Sequence, residues 1–166
     1  MSELVPCPPF HYTPREVAKE LLKDVEFKGD DITLEPCKGD GAFYDNIPFE
    51  KDWCEIDQGR DIFIYPFDRK FTKVIVNPPY RTNHQNVSDR KNICMKFIFR
   101  CFELCSEECW FLVNLKMWNS FTPVRLRKIR DMGFNLCFMR VLNIQKWWGR
   151  YYWICFSKLK TSIIKY

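Results

Sequence analysis

The segment Lys73-Val74-Ile75-Val76 running into Asn77-Pro78-Pro79-Tyr80 constrains this chain more than any other stretch. An unbroken run of three β-branched residues is too short for a helix and suits a buried strand. The two prolines then stop it, because each fixes φ, removes a backbone donor and forces the preceding residue to be extended. A stiff turn follows, with backbone carbonyls that no ladder claims.

That turn has a definite chemistry. Asn77 offers a side-chain carbonyl, Pro78 a main-chain carbonyl and Tyr80 a flat ring, a set that suits a planar amine such as the N6 group of adenine. The lone pair of such an amine is delocalised into its ring. Two converging acceptors favour a pyramidal nitrogen able to attack an electrophile. The alternative is an ordinary Pro-Pro turn after a buried strand.

Around this turn, 166 residues make one domain, 1–166, with 46% hydrophobic and 17% aromatic content. No apolar run is long enough to span a membrane, and Met1 to Phe10 lacks the pattern of a signal peptide, so an intracellular protein is expected. Nine cysteines without a Cys-x-x-Cys pair suit the cytoplasm or another reducing compartment. Cys101, Cys105 and Cys109 recur every four residues, but three thiols along one helix face do not converge on a metal ion, and no His lies nearby. The reading is buried core with no metal. The net charge is +5, with cations at Arg81, Arg90 and Lys91, at Arg125, Arg127, Lys128 and Arg130, and at Lys146 and Arg150. This suits a polyanion; the alternative is a solvated basic surface, common among soluble proteins.

In chain order, Thr13-Pro14 reads as the cap and first residue of a helix over about 14–24. Ile32-Thr33-Leu34 reads as a short strand ending at Glu35-Pro36, and Gly39 and Gly41 then permit a tight turn close to a ligand. The acid before that turn disfavours phosphate and favours a cation. Trp53-Cys54-Glu55-Ile56 reads as a second strand ending in an acid, placed to accept ribose hydroxyls, and Asp61-Ile62-Phe63 puts a further acid beside apolar residues. Later elements are a helix over 93–104, a strand over 110–115, a basic helix over 123–132 ended by Gly133, and two strands, 134–142 and 151–156, around Trp147, Trp148 and Gly149. The expected fold is α/β, Rossmann-like, with a mostly parallel sheet and an antiparallel C-terminal hairpin.

These motifs resemble, in order, those of the S-adenosylmethionine-dependent N6-adenine DNA methyltransferases. Thr13-Pro14 is similar to their N-terminal cofactor motif, Glu35-Pro36-x-x-Gly39-x-Gly41-x-Phe43 to their glycine loop, Glu55-Ile56 to the ribose-binding acid, Asp61-Ile62-Phe63 to the adenine-holding segment and Asn77 to Tyr80 to the catalytic motif. The resemblance implies a class I methyltransferase fold and S-adenosyl-L-methionine as cofactor. It also implies methyl transfer to N6 of a flipped adenine in DNA by direct in-line displacement, with Trp147 or Trp148 stacking on the base and Arg81, Arg90, Lys91 and Arg150 on the nucleic acid. RNA is the second candidate substrate. Transfer to a protein glutamine, or an inactive nucleic-acid-binding subunit, are further alternatives. Two departures stand out. Only five residues separate Glu55 from Asp61, where the family fits a helix, and the family's recognition region is missing. Sequence specificity is therefore expected to be low or to come from a partner subunit or a homodimer.

Overall fold

The computed structural model describes residues 12–79 and 87–166, with the backbone alone for 87–92. Six strands, β1 (Ile32–Glu35), β2 (Glu50–Trp53), β3 (Phe71–Val76), β4 (Cys105–Asn114), β5 (Asn135–Leu142) and β6 (Tyr151–Ser157), form one sheet in the order β2-β1-β3-β4-β6-β5. The first three pairings are parallel and the last two antiparallel. The expected Rossmann-like fold, with its antiparallel C-terminal part, is present.

Helices cover both faces of the sheet, and for that reason the central strands read as unbroken apolar runs. Along β3, Val74 and Val76 pack toward α2 (Val87–Leu104), whereas Ile75 packs toward α1 (Arg15–Leu22). In β4 the same alternation places Cys109, Phe111 and Val113 on the first face and Trp110 and Leu112 on the second. Phe102 of α2 meets the rings of Phe111, Phe134 and Phe156, and opposite them Trp153 lies between Phe43 and Trp110. Burying each such side chain contributes about 1.5–3 kcal/mol. No helix among the described residues is long and apolar enough to cross a membrane.

Three element boundaries differ from expectation. The first helix is Arg15–Leu22, with Pro14 rather than Thr13 at its cap position. The second strand ends at Trp53, so Glu55 belongs to the turn beyond it. The helix expected over 93–104 begins at Val87, and β4 starts at Cys105 with no intervening loop. Cys101 therefore lies in the last turn of α2 while Cys105 and Cys109 lie on a strand, all three fully buried. Burial pushes the Cys101 and Cys109 thiols well above their ordinary range. The thiols of Cys105 and Cys109 donate to the carbonyls of Glu108 and Cys101. They are core residues, as expected, but not on one helix face.

After β1 the chain crosses to β2 on one side, and β3 then lies on the other side of β1. The connections diverge at the C-terminal ends of β1 and β3, where open α/β sheets form their ligand crevice.

Candidate active site at the C-terminal strand ends

The glycine loop leaves β1 at Glu35 and is tied down by backbone bonds to the end of β2. Cys54 N–H donates to the Glu35 carbonyl and Lys38 N–H to the Cys54 carbonyl, both at 2.9 Å. Gly39 and Gly41 have φ of 54° and 87°, a region that side chains with a Cβ rarely occupy. A Cβ on Gly39 would lie 2.9 Å from the Tyr12 ring, and one on Gly41 would lie 3.1 Å from the Asp45 carboxylate. From the start of α1, Arg15 reaches across to Asp45 at 2.7 Å and to the Asp40 carbonyl at 2.9 Å. Phe43, buried and stacked on Trp153, anchors the far end of the loop.

Two acids frame this loop. Glu35 is 2% exposed, and its Oε2 atom has no hydrogen-bond partner. Desolvation raises its pKa well above the ordinary 4.5, outweighing the opposing Tyr44 N–H bond and the Lys38 charge. Glu55 accepts the Gly39 N–H at 2.7 Å through one oxygen and caps the turn at Asp57 with the other. That turn is a single 3₁₀ turn, Ile56–Gln58, closed by Gly59 in the left-handed region and by a bridge between Glu55 and Arg60. A tight turn thus stands where the resembled family fits a helix. Beyond it, Asp61 accepts Phe63 N–H at 2.9 Å, Ile62 is buried, and Ile56 and Phe63 are 67% and 44% exposed. Sequence reading missed Arg60, whose guanidinium lies between the Trp53 and Tyr65 rings and pairs with Asp52 at 2.6 Å. Its partners lie at several distances along the chain and leave no local pattern.

At the end of β3, Asn77 and Pro79 are half-buried and Pro78 is buried. The Asn77 side-chain amide donates to the Thr13 hydroxyl at 3.2 Å. Thr13, 6% exposed, therefore ties the N-terminal motif to the Asn-Pro-Pro turn instead of capping α1. On the other side, the Cys94 thiol of α2 donates to the Pro79 carbonyl at 3.1 Å, which sequence reading also missed. Tyr80 and Arg81 lie outside the described residues. Arg90 and Lys91 fall within α2, where the backbone alone is described.

The β5–β6 connection reaches the same edge of the sheet, because β6 starts opposite the end of β4. Leu115 N–H donates to the Arg150 carbonyl at 3.2 Å. The two tryptophans differ: Trp147 is half-buried with its ring 4.8 Å from that of Tyr151, whereas Trp148 is 95% exposed. On α4 (Pro123–Asp131), three of the four cations engage their own chain: Arg125 the Ser120 carbonyl, Lys128 the Phe99 ring and Arg130 the Tyr166 ring.

No protein-family model and no curated protein matches the sequence. Solved structures do match the fold. A class I S-adenosylmethionine-dependent methyltransferase candidate from Listeria monocytogenes is 13% identical with a TM-score of 0.62, covering 91% of this chain and 60% of its own. TrmN from Thermus thermophilus is 15% identical with a TM-score of 0.60, covering 87% of this chain and 48% of its own. An RNA methyltransferase candidate from Pyrococcus horikoshii is 21% identical with a TM-score of 0.62, over 88% of this chain and 86% of its own. The chain thus spans 60% and 48% of the length of the first two. The fold is the Rossmann-like one of class I methyltransferases.

Proposed function

We propose that this chain transfers the methyl group of S-adenosyl-L-methionine to the N6 amino group of adenine in nucleic acid, with DNA as the first substrate and RNA as the second. The observation that carries the reading is the fixed placement of Asn77 and the Pro78 carbonyl at the end of β3, joined through Thr13 to the element that also holds the glycine loop.

The residues present fit the cofactor. The left-handed glycines let the loop close tightly against Tyr12 and Asp45, buried Glu35 at its start keeps one oxygen without a partner, exposed Ile56 follows Glu55, and exposed Phe63 lies just past Asp61. Pro36 and Phe43 belong to the loop, Thr13 and Pro14 lead into α1, whose Arg15 holds it, and Ile62 is buried beside Asp61. The acids suit a cationic ligand with ribose hydroxyls, and the exposed apolar pair suits the faces of a purine. When bound, the cofactor supplies an electrophilic methyl group on a positively charged sulfur.

The chain's own residues then position the acceptor. The Asn77 and Pro78 carbonyls accept the two N–H bonds of the adenine amine and direct its lone pair at the methyl carbon. The hydrogen bond that the Asn77 amide nitrogen donates to Thr13 fixes which way the Asn77 oxygen faces, and the Cys94 thiol holds the turn at Pro79. With the cofactor bound, its methyl group would pass from sulfur to N6, and the surplus proton of the amine would be lost to water. We assign stacking on the flipped base to Tyr80 and to exposed Trp148, with half-buried Trp147 supporting the loop.

The test is methyl transfer from labelled cofactor to duplex DNA, single-stranded DNA, RNA and protein in parallel, with digestion to identify the product. N6-methyladenine is expected. N5-methylglutamine, or cofactor binding without transfer to any substrate, would overturn the assignment.

A further inference from the structure

We infer that the nucleic acid engaged by this chain is single-stranded, held along the sheet edge formed by the end of β4 and the start of β6 by Lys116, Lys146 and Arg150 with Trp148 as its base-stacking platform. This names the substrate form for the adenine-methylating reading above and rests on it.

The charge is divided along the chain far more sharply than its net value suggests. From Cys109 to Tyr166 there are eleven lysines and arginines and a single acid, Asp131, whereas the other twenty acids all precede Cys109. The sheet turns this division into two territories. The crevice over β1 and β2 carries Asp40, Glu55, Asp57 and Asp61 beside the ion-paired Asp45 and Asp52, while the chain beyond Cys109 in the β4–β6–β5 half carries the cations. A polyanion is repelled from the first and attracted to the second, and the Asn77 turn lies between them.

Within the cationic half, most charges are already engaged. Arg140 pairs with Glu20 and Asp24, Lys160 with Glu108, and Lys158 lies over the Phe134 ring. With the three cations of α4 that bind their own chain, these six leave Lys116, Arg127, Lys146, Arg150 and Lys165 exposed and without an ion pair among the described residues. Three of those five gather at one edge, because the Leu115 N–H bond to the Arg150 carbonyl brings the start of α3 (Leu115–Trp118) against the loop that carries Lys146 and Trp148. Glu16 and Glu20 line the flank of this loop near Leu142, Asn143 and Ile144, but Lys19, Lys23 and Arg140 neutralise them.

A 95% exposed indole is available to bases on its open faces, and a loop with three nearby cations matches about three phosphates of a flexible strand. A duplex hides those base faces, and a module that grips one buries about 600–1,000 Å². The loop and a four-residue helix favour the strand.

The test uses labelled fifteen-nucleotide strands of thymidine or uridine, which contain no adenine and so report binding without transfer, beside a hairpin duplex. The expected result is binding of both strands in preference to the duplex, with a log-log salt slope of about −2. Trp148→Ala weakens strand binding at least tenfold and Trp148→Phe restores most of it. Lys116→Glu and Arg150→Glu each weaken it at least tenfold and flatten the salt slope. Lys165→Glu, on the tail that runs past the start of β5, changes it less than threefold. Equal or tighter binding of the duplex, or equal losses from Lys165→Glu and Lys116→Glu, would overturn the inference. If adenine transfer persists without strand binding, only this inference falls; if strands bind but no cofactor is bound or methyl transferred, the methyltransferase reading falls instead.

Discussion

At the N-terminal end of β3, Lys73 is buried to 2% exposure and paired with Asp31 at 3.2 Å and Glu108 at 3.7 Å. Glu108 also accepts from Lys160 and the Trp110 indole, and Asp31 from Thr72 and the Lys28 N–H. At the other end of the same parallel strands, Glu35 is just as buried but keeps one oxygen without a partner. A closed charge network needs nothing further and serves the fold. A buried acid with open valence, at the point where the chain leaves β1 for its glycine loop, suits the ligand site proposed above. On the proposed function, the two ends of one sheet thus separate stability from function.

The largest expected effect sharpens that separation. Asn77→Ala removes an acceptor at the functional end, and transfer should fall by roughly 10²–10³-fold or more, with the melting temperature nearly unchanged; full activity would break the comparison. At the opposite end, Lys73→Ala strands two buried carboxylates and should cost about 3–5 kcal/mol in urea unfolding. A loss below about 1 kcal/mol would mean the network is not the closed structural unit described.

The two ends should also respond to pH with opposite sign. Desolvation works to raise the Asp31 pKa, but its hydrogen bonds from Lys28 and Thr72 and its pairing with Lys73 prevail and lower it. Its stabilisation is present above the ordinary 3.8 and is lost as pH falls through the depressed folded value. Glu35 has a raised folded pKa, so its cost is absent below about 4.5 and grows as pH rises toward that folded value. Glu35→Gln should therefore stabilise the protein at neutral pH, with the gain vanishing near pH 4.5, whereas Asp31→Asn should destabilise it at neutral pH. Chemical denaturation across pH 3–8 reads both. A smaller effect is expected of Gly39→Ala, which meets the exposed Tyr12 ring and a left-handed φ: cofactor affinity should drop several-fold by calorimetry, with about 1 kcal/mol lost in stability.

Much of the functional end was legible in the sequence because its signals are local. Two glycines after a short strand, an acid after the next and two prolines after a third each write their conformation into adjacent residues. What could not be read depends on partners far along the chain. Thr13 looks like a cap in its local sequence, yet its hydroxyl meets Asn77, 64 residues away. Lys73 reads as the first residue of an apolar strand, and its partners lie 42 and 35 residues distant. The junction of α2 and β4 was misplaced because Leu104 passes directly into Cys105 with no glycine or proline to mark it, and a cysteine every four residues looks helical. Cys94 was missed for the first of these reasons, and Arg60 because its nearby partners Asp52, Trp53 and Tyr65 share no regular spacing with it.

The measurement that tests the central claim most directly is a calorimetric titration of S-adenosyl-L-methionine into the native chain, Glu55→Ala and Lys73→Met. The account predicts one site per native chain, an affinity at least tenfold weaker when Glu55 is lost, and an unchanged site in whatever fraction of Lys73→Met is folded. Native affinity retained by Glu55→Ala, or no binding to the native chain at all, would contradict it.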